Sequence, residues 1–274
     1  MGKDLRVITP SSCTEVPINA REALIIDLKR ARFIVRKKFR VIAGSKRLGQ
    51  LWLIIDPLII SLMYFLVFTV IRYNPDPRSL FLGITYIRIL QLALKNGFNN
   101  SIDYTGGIKI ERVSSRCLLL SEWYLIFLNT FFMCFGVSLL FLFIFDSNFL
   151  DIIVFFALAI ILYVMWYGLG SFFSPIGRHI PDTKSLVSYF GMLMFFASPA
   201  LYSLGETQGH HRSISLINPF SYIVEACRLL VLNSEDFYLL DTSLGLVYGG
   251  LFLSFFIFSI LRFDRNRWRF STWS

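Results

Sequence analysis

IIVFFALAIILYVMWYGLGSFF, residues 152–173, runs without one charged side chain. Wound as a helix it would extend about 33 Å at 1.5 Å per residue, enough to cross the hydrocarbon core of a bilayer. A helix apolar on every side has no solvent face, so the segment belongs in lipid and not at the edge of a soluble core. Five more apolar runs occur at residues 51–71, 80–98, 118–145, 186–204 and 242–261. The run at 80–98 is the most polar, with Arg88, Gln91, Lys95 and Asn96 inside it. The run at 118–145 is long enough to leave its first turns at the interface. The fold class is therefore all-α, a polytopic membrane protein of six transmembrane helices.

Composition agrees, since 55% of the 274 residues are hydrophobic and only 16% are charged. The net charge of +9 would suit a nucleic-acid binder if it formed a basic domain, but the cations sit beside the apolar runs and instead report orientation. With six crossings, twenty-one Lys and Arg fall on one side. The other side holds four, Arg72, Arg78, Arg212 and Arg228, while carrying Asp76, Asp146, Asp151, Glu206, Glu225, Glu235, Asp236 and Asp241. The basic side is cytoplasmic by the positive-inside rule, and both termini lie there.

Residues 213–232 are apolar enough to suggest a seventh crossing. Glu225 and Arg228 near the middle would each cost about 2.5–3.5 kcal/mol at the bilayer centre, and a seventh span would move the basic C-terminus outside. The segment reads as a re-entrant helical hairpin before the last helix, tolerated where it packs on protein.

Ahead of the first run, Asn19 and Glu22 form a capping pattern, and Leu24, Leu28, Ala31, Val35 and Phe39 recur on one helical face among Lys29, Arg30, Arg36 and Lys37. This is an amphipathic basic helix for the inner membrane surface, near anionic lipid or a cytoplasmic partner. The organisation that follows is a cytoplasmic tail at 1–18, an interface helix and basic linker at 19–47, a transmembrane domain at 48–262 and a cytoplasmic tail at 263–274. Residues 1–20 lack an apolar h-region and a myristoylation pattern, so neither a cleaved signal peptide nor a lipid anchor is expected. Cys13, Cys117, Cys134 and Cys227 have no paired spacing and read as free thiols.

No phosphate-binding GxxxxGK[ST] loop occurs, nor HExxH, GxSxG or DxD, so the chain is not expected to be an enzyme or to bind ATP itself. His210-His211 lacks a third metal ligand at matching spacing and reads as a solvated loop pair. Asp56 is the sharpest anomaly, a carboxylate inside an apolar run, with Arg88 and Lys95 of the next run as candidate partners. Arg88, Gln91, Lys95 and Asn99 share one helical face, either as one side of a structural ion pair or as the lining of a path.

Three patterns stand out. Arg47-Leu-Gly49-Gln-Leu-Trp52 leads to Asp56-Pro57, placing a cation and an indole at the interface, a glycine at the turn into the membrane and a proline within the helix. Gly177-Arg178-His-Ile-Pro-Asp182-Thr-Lys184 closes a basic loop. Asn218-Pro219 starts a helix on which Glu225 and Arg228, three residues apart, pair on its surface. In this order the patterns resemble the membrane subunits of ABC-2 polysaccharide exporters, the capsule-type KpsM and O-antigen-type Wzm proteins, from about residue 30 to residue 265.

That resemblance implies a homodimer bound to two copies of a separate ATPase, which holds the ATP and magnesium. It implies export of a lipid-linked polysaccharide across the cytoplasmic membrane, among membrane lipids and with no nucleic acid. Lys109, Arg112, Arg178 and Asp182 would then meet the ATPase, while Asn218, Pro219, Glu225 and Arg228 would belong to an outer gate. The alternatives are an ABC-2 permease for teichoic acid, a glycolipid or a drug, and a membrane-embedded glycan-modifying enzyme.

Overall fold

The computed structural model describes residues 20–43, 49–71, 76–103, 115–145, 147–180 and 182–266, and the regular structure among them is entirely helical. The α-helices are α1 (Ala20–Ala43), α2 (Trp52–Ile71), α3 (Pro77–Asp103), α4 (Ser115–Phe143), α5 (Phe149–His179), α6 (Thr183–Phe196), α7 (Gly209–Ile217), α8 (Pro219–Leu232) and α9 (Thr242–Asn266). Short 3-10 turns at Gly49–Leu51, Leu204–Glu206 and Glu235–Leu239 join them. Three helices carry stretches long and apolar enough to cross a membrane: Cys117–Phe143, Phe149–Gly177 and Thr242–Leu261. The apolar part of α2, Ile54–Val67, is shorter. α7 and α8 would pass the same test as a pair but are bent by 89° at Asn218.

Several helices end elsewhere than the apolar runs suggest; α5 continues to His179 and α9 to Asn266. The helix expected at 80–98 starts at Pro77 and continues to Asp103, 27 residues or about 40 Å. Pro77 opens it with a preset φ, and the Asp76 carboxylate accepts the Arg78 N–H at 3.1 Å. The run at 186–204 does not form one helix. α6 has 14 residues, about 21 Å, and stops at Phe196. Ser198 precedes Pro199, which disfavours helical backbone at that position, and the Ser198 hydroxyl donates to the Phe195 carbonyl at 3.2 Å.

The axis of the bundle is the long α3–α5 contact. Its closeness is set by two glycines, because a Cβ on Gly97 would meet the Tyr167 carbonyl oxygen and one on Gly170 the Leu94 carbonyl oxygen, each well inside van der Waals contact. Small residues that let backbones touch are the usual means of joining helices where lipid removes the hydrophobic drive. Around this axis Tyr86, Leu90, Leu162, Tyr163 and Trp166 are fully buried.

α1 packs on α4, but not through the face the periodicity suggests. Ala31 and Val35 are buried, together with Asp27, whereas Leu24 and Leu28 are exposed at 53% and 38%. The buried arc is rotated toward Asp27 and Lys38 because α4 offers a polar partner there. Asn19 lies outside the described residues. Cys117, Cys134 and Cys227 are buried and in no disulfide, and Cys13 lies outside the described residues.

Candidate functional site

α2 is the most apolar helix of the bundle, yet it carries Asp56 in its second turn. The Asp56 carboxylate accepts a hydrogen bond from Arg88 Nη2 of α3 at 2.6 Å. Arg88 Nη1 also donates to Gln91 Oε1 at 3.2 Å, and Gln91 Nε2 donates to the Gly191 carbonyl of α6 at 3.2 Å. Gly191 keeps α6 close, since a Cβ there would stand 3.2 Å from Gln91 Cγ. Of the two candidate partners of Asp56 it is Arg88 that pairs with it, and Lys95, two turns along α3, is exposed. The pair itself is only half covered, with side-chain exposures of 46% for Asp56 and 31% for Arg88. Exposed charges do not face lipid. This α2–α3–α6 face therefore fits water, a polar ligand or another protein surface.

A second pair forms near the N-terminal end of α3. The Asn218 carboxamide oxygen accepts the Phe220 N–H at 3.0 Å and Pro219 occupies the first helical position, so α8 starts sharply after α7. α8 ends at Asn233, whose φ of 55° is left-handed, with the Ser234 N–H on the Arg228 carbonyl at 3.2 Å. On α8, Arg228 Nη1 donates to Glu225 Oε1 at 2.6 Å. The expected spacing pair exists, but it is not on the surface: the side-chain exposures are 1% and 0%. α8 packs against α5 and α3, which encloses that face.

The two Nη groups of Arg228 also donate to main chain, Nη1 to the Tyr202 carbonyl at 3.1 Å and Nη2 to those of Ser79 and Ala200 at 3.4 and 3.5 Å. Asn218 Nδ2 adds the Ala197 carbonyl at 3.0 Å. The broken end of α6 thus has its carbonyls satisfied by α8. Among the described residues, Glu225 Oε2 and Arg228 Nε lack a hydrogen-bond partner. The ring of neighbouring His211 contacts the Tyr202 hydroxyl and, through Nε2, the Phe196 carbonyl at 3.1 Å. No three metal-ligating side chains converge among the described residues.

A third polar centre, not evident from helical spacing, lies between α1, α4 and α5. Glu122 of α4 is 9% exposed and accepts from Lys38 Nζ of α1 at 2.7 Å and from the Tyr167 hydroxyl of α5 at 3.2 Å. One turn back along α5, the Tyr163 hydroxyl receives Asn96 Nδ2 of α3 at 2.8 Å and Asn129 Nδ2 of α4 at 3.3 Å. The signal was present, an acid inside an apolar run as at Asp56.

The remaining sequence candidates are not brought to one place. Gly49, with φ of 47°, opens the 3-10 turn that leads into α2, a left-handed backbone that suits glycine. Trp52 is the first residue of α2 and 39% exposed, and Pro57 lies in the second turn. Arg178 falls in the last turn of α5, and exposed Asp182 stands just before α6. Arg47, Lys109 and Arg112 lie outside the described residues.

The family profile described as ABC-2 type transporter matches residues 30–232, from the middle of α1 to the end of α8 and well over half of the chain. A search among curated proteins found no match. The chain belongs to the ABC-2 type transporter family, as a membrane component of an ABC transporter.

Proposed function

We propose that this ABC-2 transporter subunit forms a homodimer with two copies of a separate ATPase and moves a lipid-linked polysaccharide, of capsule or O-antigen type, outward across the cytoplasmic membrane. The observation that carries the reading is the half-covered Asp56–Arg88–Gln91 face. A hydrophilic polymer needs a polar lining at membrane depth, and two such faces supply one between subunits. ATP and magnesium belong to the partner, because this chain has no phosphate-binding loop.

In this reading α2, α3, α4, α5, α6 and α9 make six crossings, with the 197–206 turns completing the short α6, and both termini are cytoplasmic. α7 and α8 form a re-entrant hairpin on the outer side. Lys109, Arg112, Arg178 and Asp182 meet the ATPase, and the Arg47, Gly49, Trp52 and Pro57 segment holds the inner interface. Asn218, Pro219, Glu225 and Arg228 shape the outer gate, with the buried pair fixing α8 to α3.

The test is removal of the chain from its own cells, with surface glycan and internal glycan measured separately and reporter tags placed at Ser147, Gly209 and Ser274. The reading expects surface glycan lost, glycan retained inside, restoration only together with a functional ATPase, and a cytoplasmic tag at Ser274 alone. Loss of a teichoic acid, a glycolipid or drug efflux instead, with glycan unchanged, assigns another cargo. Altered glycan chemistry independent of any ATPase points to an enzyme.

A further inference from the structure

α1 meets the rest of the described structure mainly on α4, with a smaller contact at the Gly49–Leu51 turn. Its apolar hold on α4 is narrow. Val35 packs with Leu125, edged by Leu128 and Phe132, as a cluster separate from the main core. Such contacts are non-directional and fix the register of two helices less sharply than a hydrogen bond does. Lys29, Arg30, Arg32, Arg36 and Lys37 of the same helix all point to exposed positions. Among the described cations of α1, Lys38 is the exception, part-buried against Glu122 at 2.7 Å. Glu122 is committed on its other oxygen to Tyr167 of α5, so one buried carboxylate joins three helices that are distant in sequence.

We propose that Lys38, Glu122 and Tyr167 form the positioning joint through which movement of α1 is delivered to the transmembrane bundle. The inference rests on the exporter reading above, in which α1 lies on the ATPase side. A charge-assisted hydrogen bond at partly dehydrated groups is short and directional. Displacement of the exposed basic face of α1 therefore pulls α4 through Lys38–Glu122 and reaches α5 through the Tyr167 hydroxyl, where the apolar cluster alone would fix the register less sharply. α5 in turn carries Tyr163, which receives Asn96 of α3, the helix that holds Arg88. Lys38 and Glu122 are positioning residues; neither is placed at the polar face itself.

The experiment compares wild type with Lys38→Met, Glu122→Gln, Tyr167→Phe and the exchange Lys38→Glu/Glu122→Lys. Each is produced with the cognate ATPase, and two quantities are read. One is ATP turnover of the purified complex in proteoliposomes; the other is surface glycan, labelled metabolically, in cells carrying that variant as their only copy. The expected result is an assembled complex whose ATP turnover stays near wild type while exported glycan per ATP falls about tenfold in the two single charge variants, a size typical of coupling free energies. Tyr167→Phe should show a smaller fall in the same ratio, and the exchange should recover most of it.

An unchanged ratio in Lys38→Met and Glu122→Gln overturns the proposal. So does a parallel loss of assembly, turnover and export that the exchange does not rescue, because that marks a purely structural pair. If Glu122→Gln does not assemble, an unchanged ratio in Tyr167→Phe overturns it as well. Failure of the exporter reading looks different, since the wild-type complex would then show no ATP-dependent surface glycan at all.

Discussion

Asp56–Arg88 and Glu225–Arg228 are the same chemistry at the same 2.6 Å, and their surroundings make them different objects. The second pair is sealed, with exposures of 0% and 1%, and its arginine also ties down three carbonyls from α3 and the broken end of α6. The first is open, with its carboxylate nearly half exposed and one turn of helical neighbours for company. A sealed pair beside the 89° bend between α7 and α8 holds a shape that the backbone of the bend does not fix by itself. An open pair in an apolar helix has no such use; in the proposed transporter it marks the surface along which polar cargo would pass. The two arginines, Arg88 and Arg228, look alike in the sequence and differ in what their neighbours leave uncovered.

Removing the sealed cation should have the largest effect. Arg228→Met strands Glu225 in a buried site, a loss of about 3–5 kcal/mol for breaking such a pair from one side, and frees the Ser79, Ala200 and Tyr202 carbonyls. Thermal unfolding in mild detergent should then show a strongly lowered or vanished transition. A transition within a few degrees of wild type would mean that this end is held by its apolar contacts and not by the pair.

Breaking the open pair should do the reverse. Asp56→Ala should change stability by no more than about 1 kcal/mol, the range for solvated pairs, while lowering transport sharply. In a double-mutant cycle on transport, Arg88→Ala should be non-additive with Asp56→Ala and Lys95→Ala additive. Additivity with Arg88, or coupling to Lys95, would show that the pairing seen here is not the working one.

The smallest effect belongs to a third carboxylate away from both pairs. Asp241 caps α9, its carboxylate taking the Ser243 hydroxyl at 2.7 Å and the Ser243 N–H at 2.9 Å. The Ser243 hydroxyl first and its backbone N–H second hold the carboxyl below its ordinary value. A lowered folded value means stability that is present above the unfolded carboxyl value of about 3.9 and is lost as pH falls through the folded value. Asp241→Asn, which can still cap, should leave the pH 7 melting temperature nearly unchanged and remove part of the acid-side decline. An identical decline in both proteins would exclude Asp241 from it.

The helical class could be read from apolar run length because nothing but a helix satisfies backbone groups over such segments. The partner of Asp56 was narrowed to two residues by helical spacing, and the choice between them needed depth, which spacing does not carry. The end of α6 was misread although Pro199 stood in view, because an apolar window averages over a breaker. Glu225 and Arg228 could be paired from their i, i+3 spacing but not placed, since burial depends on α3 and α5 closing over α8 from far along the chain. Glu122 was hidden for a similar reason: its partners Lys38 and Tyr167 are remote in sequence, and only packing of α1, α4 and α5 brings them together.

The most direct measurement is labelling of a single cysteine on the open face. In a protein without Cys13, Cys117, Cys134 and Cys227, Gln91→Cys at the junction of α2, α3 and α6 is compared with Leu246→Cys on α9, which is 80% exposed and faces lipid in this account. A membrane-impermeant maleimide is applied to the ATPase complex in proteoliposomes with ATP. The account predicts modification at position 91 and none at position 246. Equal inertness of both, with position 91 instead taken by a lipid-dissolved nitrene probe, would show that the Asp56–Arg88 face is covered by lipid and would contradict the polar path.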